Sequence, residues 1–519
     1  MSHSHNQTIC EVNGELVNET SFGGEYLVNE IASYPRIHVT AESLRKSAVT
    51  HESAQSAFLE HSETLMQRVQ AAWYSHGIIG ALTEICDNES NEQVSPYIKH
   101  SCHVLLVSLR WLSGMQLTLF PHLKLSNDEL IASFSENSNW QESPIRYLCW
   151  HSHADKFAIA LKDDTIRIHY NDNELVPMLK HKLQRNVTMM SWKPLSASTL
   201  AVGTQTAVLV WNIDPTSLST RPSSGAVQVL SHAGHSPVTS IGWNPRGLDL
   251  LFTTSTLSSA IVVWNVSMKQ SQVIQHVTAC GGISRLLFSP DGNKVITTTP
   301  SSSFRVFETA TWTNERWSKL AGRVQSSCWN PSGTLLLFAL YRDPRIYSLT
   351  FSDSSSFDQP VLDGPKHASV ILDLTPDDER EHESSNVISP SNIIHSICVD
   401  PTGERLAVMF GRDDPRCHLV AVYALASDPV VSVTPSGFIH GPVEAIPTFI
   451  TFKPNVKKGA LLTICYSNGH VGYIPMYFKA ANQLNRSKIL TPLKSFSMKD
   501  IDQNQSMWSK SQNNSLLVS

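Results

Sequence analysis

The sequence predicts an all-β fold, a seven-bladed β-propeller with a small N-terminal α-helical segment, on three observations. A unit of alternating and apolar strands recurs seven times between residues 145 and 478. The first strand of each copy ends on a large anchor residue: Trp150, Trp192, Trp243, Phe288, Trp329, Val399 and Phe452. Proline follows two positions later in six of the seven copies, at Pro194, Pro245, Pro290, Pro331, Pro401 and Pro454, with Ser152 in that place in the first. One feature recurring at one offset is a repeat rather than a composition effect.

Each strand of the unit has its own reason. In the copy VTSIGW, Val238, Ser240 and Gly242 are expected on one side and Thr239, Ile241 and Trp243 on the other, the period of two that a strand with two packed faces requires. Proline, lacking an N–H for the ladder, ends the strand, and a turn follows. Second strands such as 200–203 and 294–298 are β-branched and apolar, as suits strands covered on both faces. Third strands end in an aromatic: Trp211, Trp264, Phe307, Tyr347 or Tyr423, with His169 and Tyr170 in the first copy. Outer fourth strands are expected at 174–182, 226–231, 271–276, 369–374 and 430–433. A four-stranded sheet cannot bury both faces alone, whereas stacking such sheets around an axis hides the faces and leaves short protected edges.

The anchors are spaced by 42, 51, 45, 41, 70 and 53 residues, against a WD40 period of ~40–45. The long gap contains SDSSSFDQ and DDEREHESSN, which read as loop. The copies are therefore degenerate WD40-type repeats. A Gly-His pair before the first strand is clear only at Gly234-His235, the closing pair reads Trp-Asn at Trp211 and Trp264, and a turn aspartate stands at Asp163 or Asp164. The regular His–Asp–Trp hydrogen-bond ring is expected to be missing from most blades, leaving apolar packing to hold them.

The chain divides into residues 1–50, an N-terminal extension; 51–140, a helical segment; 141–480, the propeller; and 481–519, a tail. In the extension, ICEVNGELV reads as a hairpin about Asn13-Gly14. The last blade needs a fourth strand, from 8–17 or from 487–493, and the N-terminal choice is favoured because it ties the two ends of the ring. Residues 54–86 and 97–120 have helical spacing, and 128–134 is a short helix with Ser126 or Asn127 as N-cap. The run 103–120 carries Arg110 and serines and falls short of the ~20 apolar residues of a membrane span, so it reads as a buried amphipathic helix. This cluster either packs on the side or a face of the propeller or forms a separate docking module. The stripe of 54–86 reads as core rather than interface. The Ser-, Asn- and Lys-rich tail buries too little apolar surface to order.

Composition excludes several functions. A net charge of −5 without a Lys/Arg cluster gives no nucleic-acid surface, so no direct nucleic-acid partner is expected. The nine cysteines show no CxxC pair, which fits a reducing compartment. The start, MSHSHNQTIC, has no signal-peptide pattern, so membrane association is expected to be indirect. Near the histidine pairs 3/5, 100/103, 151/153 and 232/235, cysteine or carboxylate partners do not recur in the pattern a zinc site requires. Nucleophile-elbow, P-loop and dinucleotide motifs are absent. No enzyme, metal or cofactor is expected; a propeller hydrolase would need an acid or metal cluster at the channel mouth. The acidic run 377–383 reads as a solvated insertion, and the loop DPTSLSTRPSSG (214–225) as a connector with an even claim to a binding role.

Several stretches go beyond the generic repeat: TLFPHLKLSNDELIASF, HKLQRNVTMMSWKPLSASTLAV, the sequence through DPTSLSTRPSSG to SHAGHSPVTS, SPDGNKVITTTPSSSFRVFE, PTGERLAV and TFKPNVKKGALLTICYSNGHVGYIPMYF. Together they resemble the aladin family of WD-repeat nuclear pore proteins, from about Glu11 to Phe478. The resemblance implies a scaffold on the cytoplasmic side of the nuclear pore complex, held at the nuclear envelope by a transmembrane nucleoporin among other pore proteins and supporting protein import. It carries no catalytic residue, cofactor or ligand motif onto this chain. Fold alone also accommodates a WD40 adaptor of another complex, such as a ubiquitin-ligase substrate receptor.

Overall fold

The computed structural model describes residues 8–12, 15–18, 34–48, 100–109 and scattered positions from 66 to 97. It then describes 125–170, 176–214, 222, 224–275, 281–351, 368–375, 393–427, 430–442, 444–456 and 459–477. Seven sheets follow one another around an axis, six of them antiparallel meanders and the seventh an antiparallel meander extended by N-terminal strands. Their first strands are Ile145–Trp150, Met189–Trp192, Val238–Trp243, Arg285–Phe288, Val324–Trp329, Ile394–Val399 and Pro447–Phe452, which define blades 1 to 7. Second strands such as Leu335–Leu340 and Arg405–Phe410 are buried throughout, because a blade lies against each face.

The N-terminus closes the ring. Strand Thr8–Val12 pairs in parallel with the last strand, Val471–Tyr477, through Glu11↔Met476 and Val12↔Tyr477. Strand Glu15–Asn18 folds back on it as a fifth strand, so blade 7 is built from both ends of the described chain. Residues 34–39 then run as a strap from blade 7 to blade 1. Val39 N–H donates to Gly469 O (2.9 Å), Val471 N–H donates to Ile37 O (3.2 Å), and Tyr34 stacks on Tyr473 at 5.2 Å. Ile37 and Val39 join one core cluster with Trp150, Ile159, Leu161 and Val471.

Outer strands occur at Met178–Leu179, Val227–Leu230, Gln270–Gln275, Ser369–Asp373 and Ser432–His440; the middle three lie close to the expected stretches, the first shrinks to two residues, and the last shares only 432 and 433 with the expected 430–433 and runs on to His440. Blade 4 also has one, Asn314–Ser318, which the sequence did not reveal. Its pattern NERWS is exposed at four of five positions, so no two-sided periodicity marks it. Its anchor is Trp317, stacked on Phe304 at 5.1 Å and 7°.

The expected facing of Val238 and Thr239 is corrected. Ser240 and Gly242 face blade 4, where Ser240 Oγ donates to Leu286 O (3.2 Å) and a Cβ on Gly242 would meet Leu286. Ile241 and Trp243 face blade 2, but Val238 lies with them, packed with Val208 and Leu230. A register shift between Val238 and Ser240 inserts one residue and reverses the parity before it. Matching shifts occur at Ile145/Tyr147, Val324/Ser326, Ile394/Ser396 and Pro447/Phe449.

The short helix is Asn127–Phe134, with Ser126 as N-cap: Ser126 Oγ accepts from Glu129 N–H, and Ser126 N–H donates to Glu129 Oε2 at 2.9 Å. The helix expected at 97–120 is described at Tyr97 and over 100–109, and 110–124 lies outside the described residues. There Leu106 is buried but Val104, Leu105 and Val107 are about half exposed, so the run is not a wholly buried helix. Four successive apolar residues wrap the circumference, and a single contact face hides only one of them. The loop residues 215–221, the acidic run 377–383 and the tail 481–519 lie outside the described residues, as does most of 54–86.

Candidate functional site

The anchors fasten each blade to the one before it. Trp192 Nε1 donates to Cys149 O (3.1 Å), Trp243 Nε1 to Ser191 O (3.1 Å) and Trp329 Nε1 to Leu287 O (3.4 Å). In each case the acceptor directly precedes the anchor of the previous blade. Trp150 Nε1 instead reaches Thr463 Oγ1 of blade 7 at 3.0 Å. Trp150, Trp192, Trp243, Trp329 and Phe452 are buried, whereas Phe288 and Val399 are half-buried. A phenyl or isopropyl group has no N–H, so those anchors only pack, and serines make the seam bonds instead: Leu286 N–H donates to Ser240 Oγ (3.1 Å) and Ile397 N–H to Ser326 Oγ (3.1 Å).

Cations reinforce the same seams. Lys156 Nζ lies 4.7 Å from the Trp192 ring, Lys193 Nζ 5.9 Å from Trp243 and Lys453 Nζ 5.4 Å from Trp150. Lys193 also pairs with Asp249 of blade 3. Within the blades, Trp211 Nε1 donates to Gln184 Oε1 (3.2 Å), and Trp264 Nε1 donates to Thr253 Oγ1 (3.2 Å), which also meets His235 Nε2 at 3.1 Å. Blade 3 thus keeps a His–Thr–Trp chain where its Gly-His pair survives. Burial, aided by nearby His232, pushes the His235 imidazole down to about 3.

One end of the axis is closed by the chain itself. Helix Asn127–Phe134 and residues 135–144 bond to six blades at the starts of their inner strands. Asn137 Nδ2 donates to Ile145 O (2.8 Å) in blade 1, and Trp140 Nε1 to Val187 O (3.0 Å) entering blade 2. Glu136 pairs with Arg285 of blade 4, and Arg323 Nη2 at blade 5 donates to Ser133 O (2.9 Å). His395 Nε2 of blade 6 meets Glu136 O at 3.2 Å, and Ser138 N–H donates to Thr448 O (2.9 Å) of blade 7. Bulges add to this convergence at blades 1 and 6, where the Arg146 guanidinium lies 4.1 Å from the Trp140 ring and His395 reaches Glu136 O. Arg146, Gln325, His395 and Thr448 are the extra residues of their strands, and a bulge re-aims its residue out of the ladder.

This plug consumes the ionisable groups at the axis. The Arg323 guanidinium lies 4.5 Å from both the Phe134 and the Tyr341 ring, and burial lowers its pKa. Burial also pushes the His395 imidazole down to about 4 and the Cys149 and Cys328 thiols up to about 12. Glu136 is tied to a guanidinium, and the thiols lie far from the thiolate form that nucleophilic chemistry needs. Among the described residues, no group of three or more His, Cys, Asp or Glu is placed to hold a metal. His151 and His232 bond to Ser196 O and Ala233 O, while His3 and His5 lie outside the described residues. Among the described helices none is long and apolar enough to cross a membrane.

The sequence missed the plug because SENSNWQES (135–143) reads as a polar connector, and its partners begin their own strands far along the chain. The capping box at Ser126 marked the helix but not its destination.

A family model described as the aladin seven-bladed propeller matches residues 126–477, from the plug helix to the last strand. Aladin of Arabidopsis thaliana is 28% identical over 364 residues, covering 65% of this chain and 77% of that protein. Protein HIR1 of Mycosarcoma maydis is 23% identical over 347 residues, covering 58% of this chain and 33% of that protein. Among solved structures, the β-propeller domain of Myceliophteria thermophila Cps50 (Swd1) has a TM-score of 0.48 at 14% identity, covering 64% of this chain and 96% of that one.

Proposed function

The chain belongs to the aladin family of seven-bladed propellers, and from that premise we propose that it is a scaffold subunit of the nuclear pore complex. In this reading it is held at the nuclear envelope, on the cytoplasmic side, by a transmembrane nucleoporin, and supports protein import without catalysing a reaction. The observation that carries the proposal is the family match over residues 126–477, which takes in the plug as well as the blades. The geometry supports it physically. With one end of the axis occupied by the chain's own residues 126–140, loops, blade rims and the outer strands offer the main surfaces for partner proteins.

A tagged copy expressed at its natural level tests this by imaging and affinity purification. A punctate nuclear rim and co-purification with a transmembrane nucleoporin are expected. Diffuse cytosolic signal with ubiquitin-ligase or other enzyme subunits would overturn the pore assignment in favour of a different adaptor.

A further inference from the structure

Where the strap crosses onto blade 1 it leaves a cavity of about 140 Å³, roughly ten times the ~10–15 Å³ that a single water needs. Its floor is aliphatic: Ile37 and Val39 from the strap, Ile159 and Leu161 from the second strand of blade 1. Its polar lining is entirely basic: Arg36 and His38 from the strap, Arg167 and His169 from strand Ile166–Tyr170. Neither guanidinium is paired with a carboxylate among the described residues.

The two basic pairs come from separate parts of the chain and are held facing one another. The strap is pinned on either side of His38 by the bonds of Ile37 and Val39 to blade 7. Arg167 and His169 alternate with the buried Ile166 and Ile168, so they share one face of blade 1. The His169 ring is further fixed by stacking on Phe157 at 5.5 Å and 20°.

We propose that this cleft binds a phosphomonoester carried on a serine or threonine of a partner peptide. A phosphoryl group offers three acceptor oxygens and nearly two negative charges at neutral pH. Two guanidinium forks and two imidazoles, approaching from two walls, match that acceptor set better than a carboxylate with two oxygens. The aliphatic floor, whose four residues are otherwise buried, meets the methylene or methyl next to the phosphate. Two arginines, Arg36 exposed on the strap and Arg167 half-buried on blade 1, do not form the cluster of ~4–8 basic side chains that marks a lipid-headgroup surface, so a peptide is favoured over a membrane.

Calorimetric titration of the full chain tests the site with four probes. These are N-acetyl-O-phosphoserine methylamide, its unphosphorylated form, inorganic phosphate, and phosphatidylcholine vesicles doped with a phosphoinositide. The phosphoserine amide should bind more tightly than inorganic phosphate, and the unphosphorylated amide should not bind. Arg36→Gln combined with Arg167→Gln should weaken the phosphoserine amide about tenfold or more, with the melting temperature unchanged. If the double variant does not fold, Arg36→Gln alone, at an exposed strap position, should still weaken it several-fold. Failure of the wild-type chain to bind the phosphoserine amide, or equal binding by the folded variant, overturns the proposal. So does binding confined to the vesicles, or inorganic phosphate binding as tightly as the amide. None of these outcomes bears on pore location.

Discussion

Glu11 and Arg405 stand 394 residues apart in the chain, yet Arg405 Nε donates to Glu11 Oε1 at 2.6 Å in a site closed to solvent. The Glu11 side chain is 0% exposed and that of Arg405 10%. Glu11 belongs to the N-terminal strand laddered onto blade 7, and Arg405 to the second strand of blade 6. One pair therefore ties the closing strand to the neighbouring blade. Breaking a buried pair by removing one partner leaves an uncompensated charge, a cost of ~3–5 kcal/mol. Glu11→Ala should lower the unfolding midpoint accordingly, and removal of residues 1–18 should do so at least as strongly. An unchanged denaturation curve for both variants would show that the strand does not close the ring in solution.

The anchor tryptophans separate packing from hydrogen bonding. Trp243→Phe keeps a ring between blades 2 and 3 but loses the Nε1–H bond to Ser191 O, a loss of about 1 kcal/mol. Trp243→Ala also opens a cavity and should cost ~3–5 kcal/mol. Urea unfolding of both variants measures the ratio. Equal losses would mean that the seam is held by the hydrogen bond rather than by the indole's bulk.

How far the sequence carries the fold follows from where each signal lies. The anchors, the second strands and the closing hairpin were legible because each is written in consecutive residues: alternation, an apolar run, Asn-Gly between two strands. The outer strand Asn314–Ser318 was not, since NERWS shows solvent most of its side chains and leaves Trp317 as its single apolar mark. Nor was the parity reversal at Val238, because an inserted bulge residue is chemically no different from its neighbours. The site was the least legible part. Glu136 meets Arg285 and His395, and Arg36 comes to line one cleft with Arg167, only after the ring has closed, and nothing local in any of those residues announces its partner.

Acid should weaken the propeller through its buried histidines. Burial depresses His235 to about 3 from an ordinary value of 6.5, so between those values the unfolded chain binds a proton that the folded one refuses. The stabilising contribution is complete above pH 6.5 and falls as pH drops toward 3, by on the order of 1.4 kcal/mol per pH unit within that window. His395, depressed to about 4, acts in the same sense. Unfolding free energies measured from pH 7 to pH 4.5 should therefore decline, and His235→Gln should flatten the slope. A variant as steep as the wild type would assign the acid sensitivity to other groups.

The plug makes the strongest claim about where the domain begins. Sequence patterning alone places the propeller from residue 141, but the bonds of Asn137, Glu136 and Ser133 to blades 1, 4 and 5 make 126–140 part of its interior. Without that stretch, Arg285 loses its carboxylate partner, Arg323 loses the Phe134 ring and the Ser133 carbonyl, and the inner-strand bulges point their side chains into an empty axis. A chain lacking 126–140 should therefore unfold several kcal/mol more readily than one that retains it, given the ~3–5 kcal/mol for an orphaned charge pair in a partly buried site and less where water reaches it. Thermal melts of two versions of this protein, one starting at Leu125 and one at Gln141 and each preceded by residues 1–48 on a flexible linker, make the comparison. Hydrogen exchange at His395 and Val324 should rise in the shorter version, since their strands lose the plug. Equal melting and equal exchange would show that the helix merely rests on a ring that stands without it.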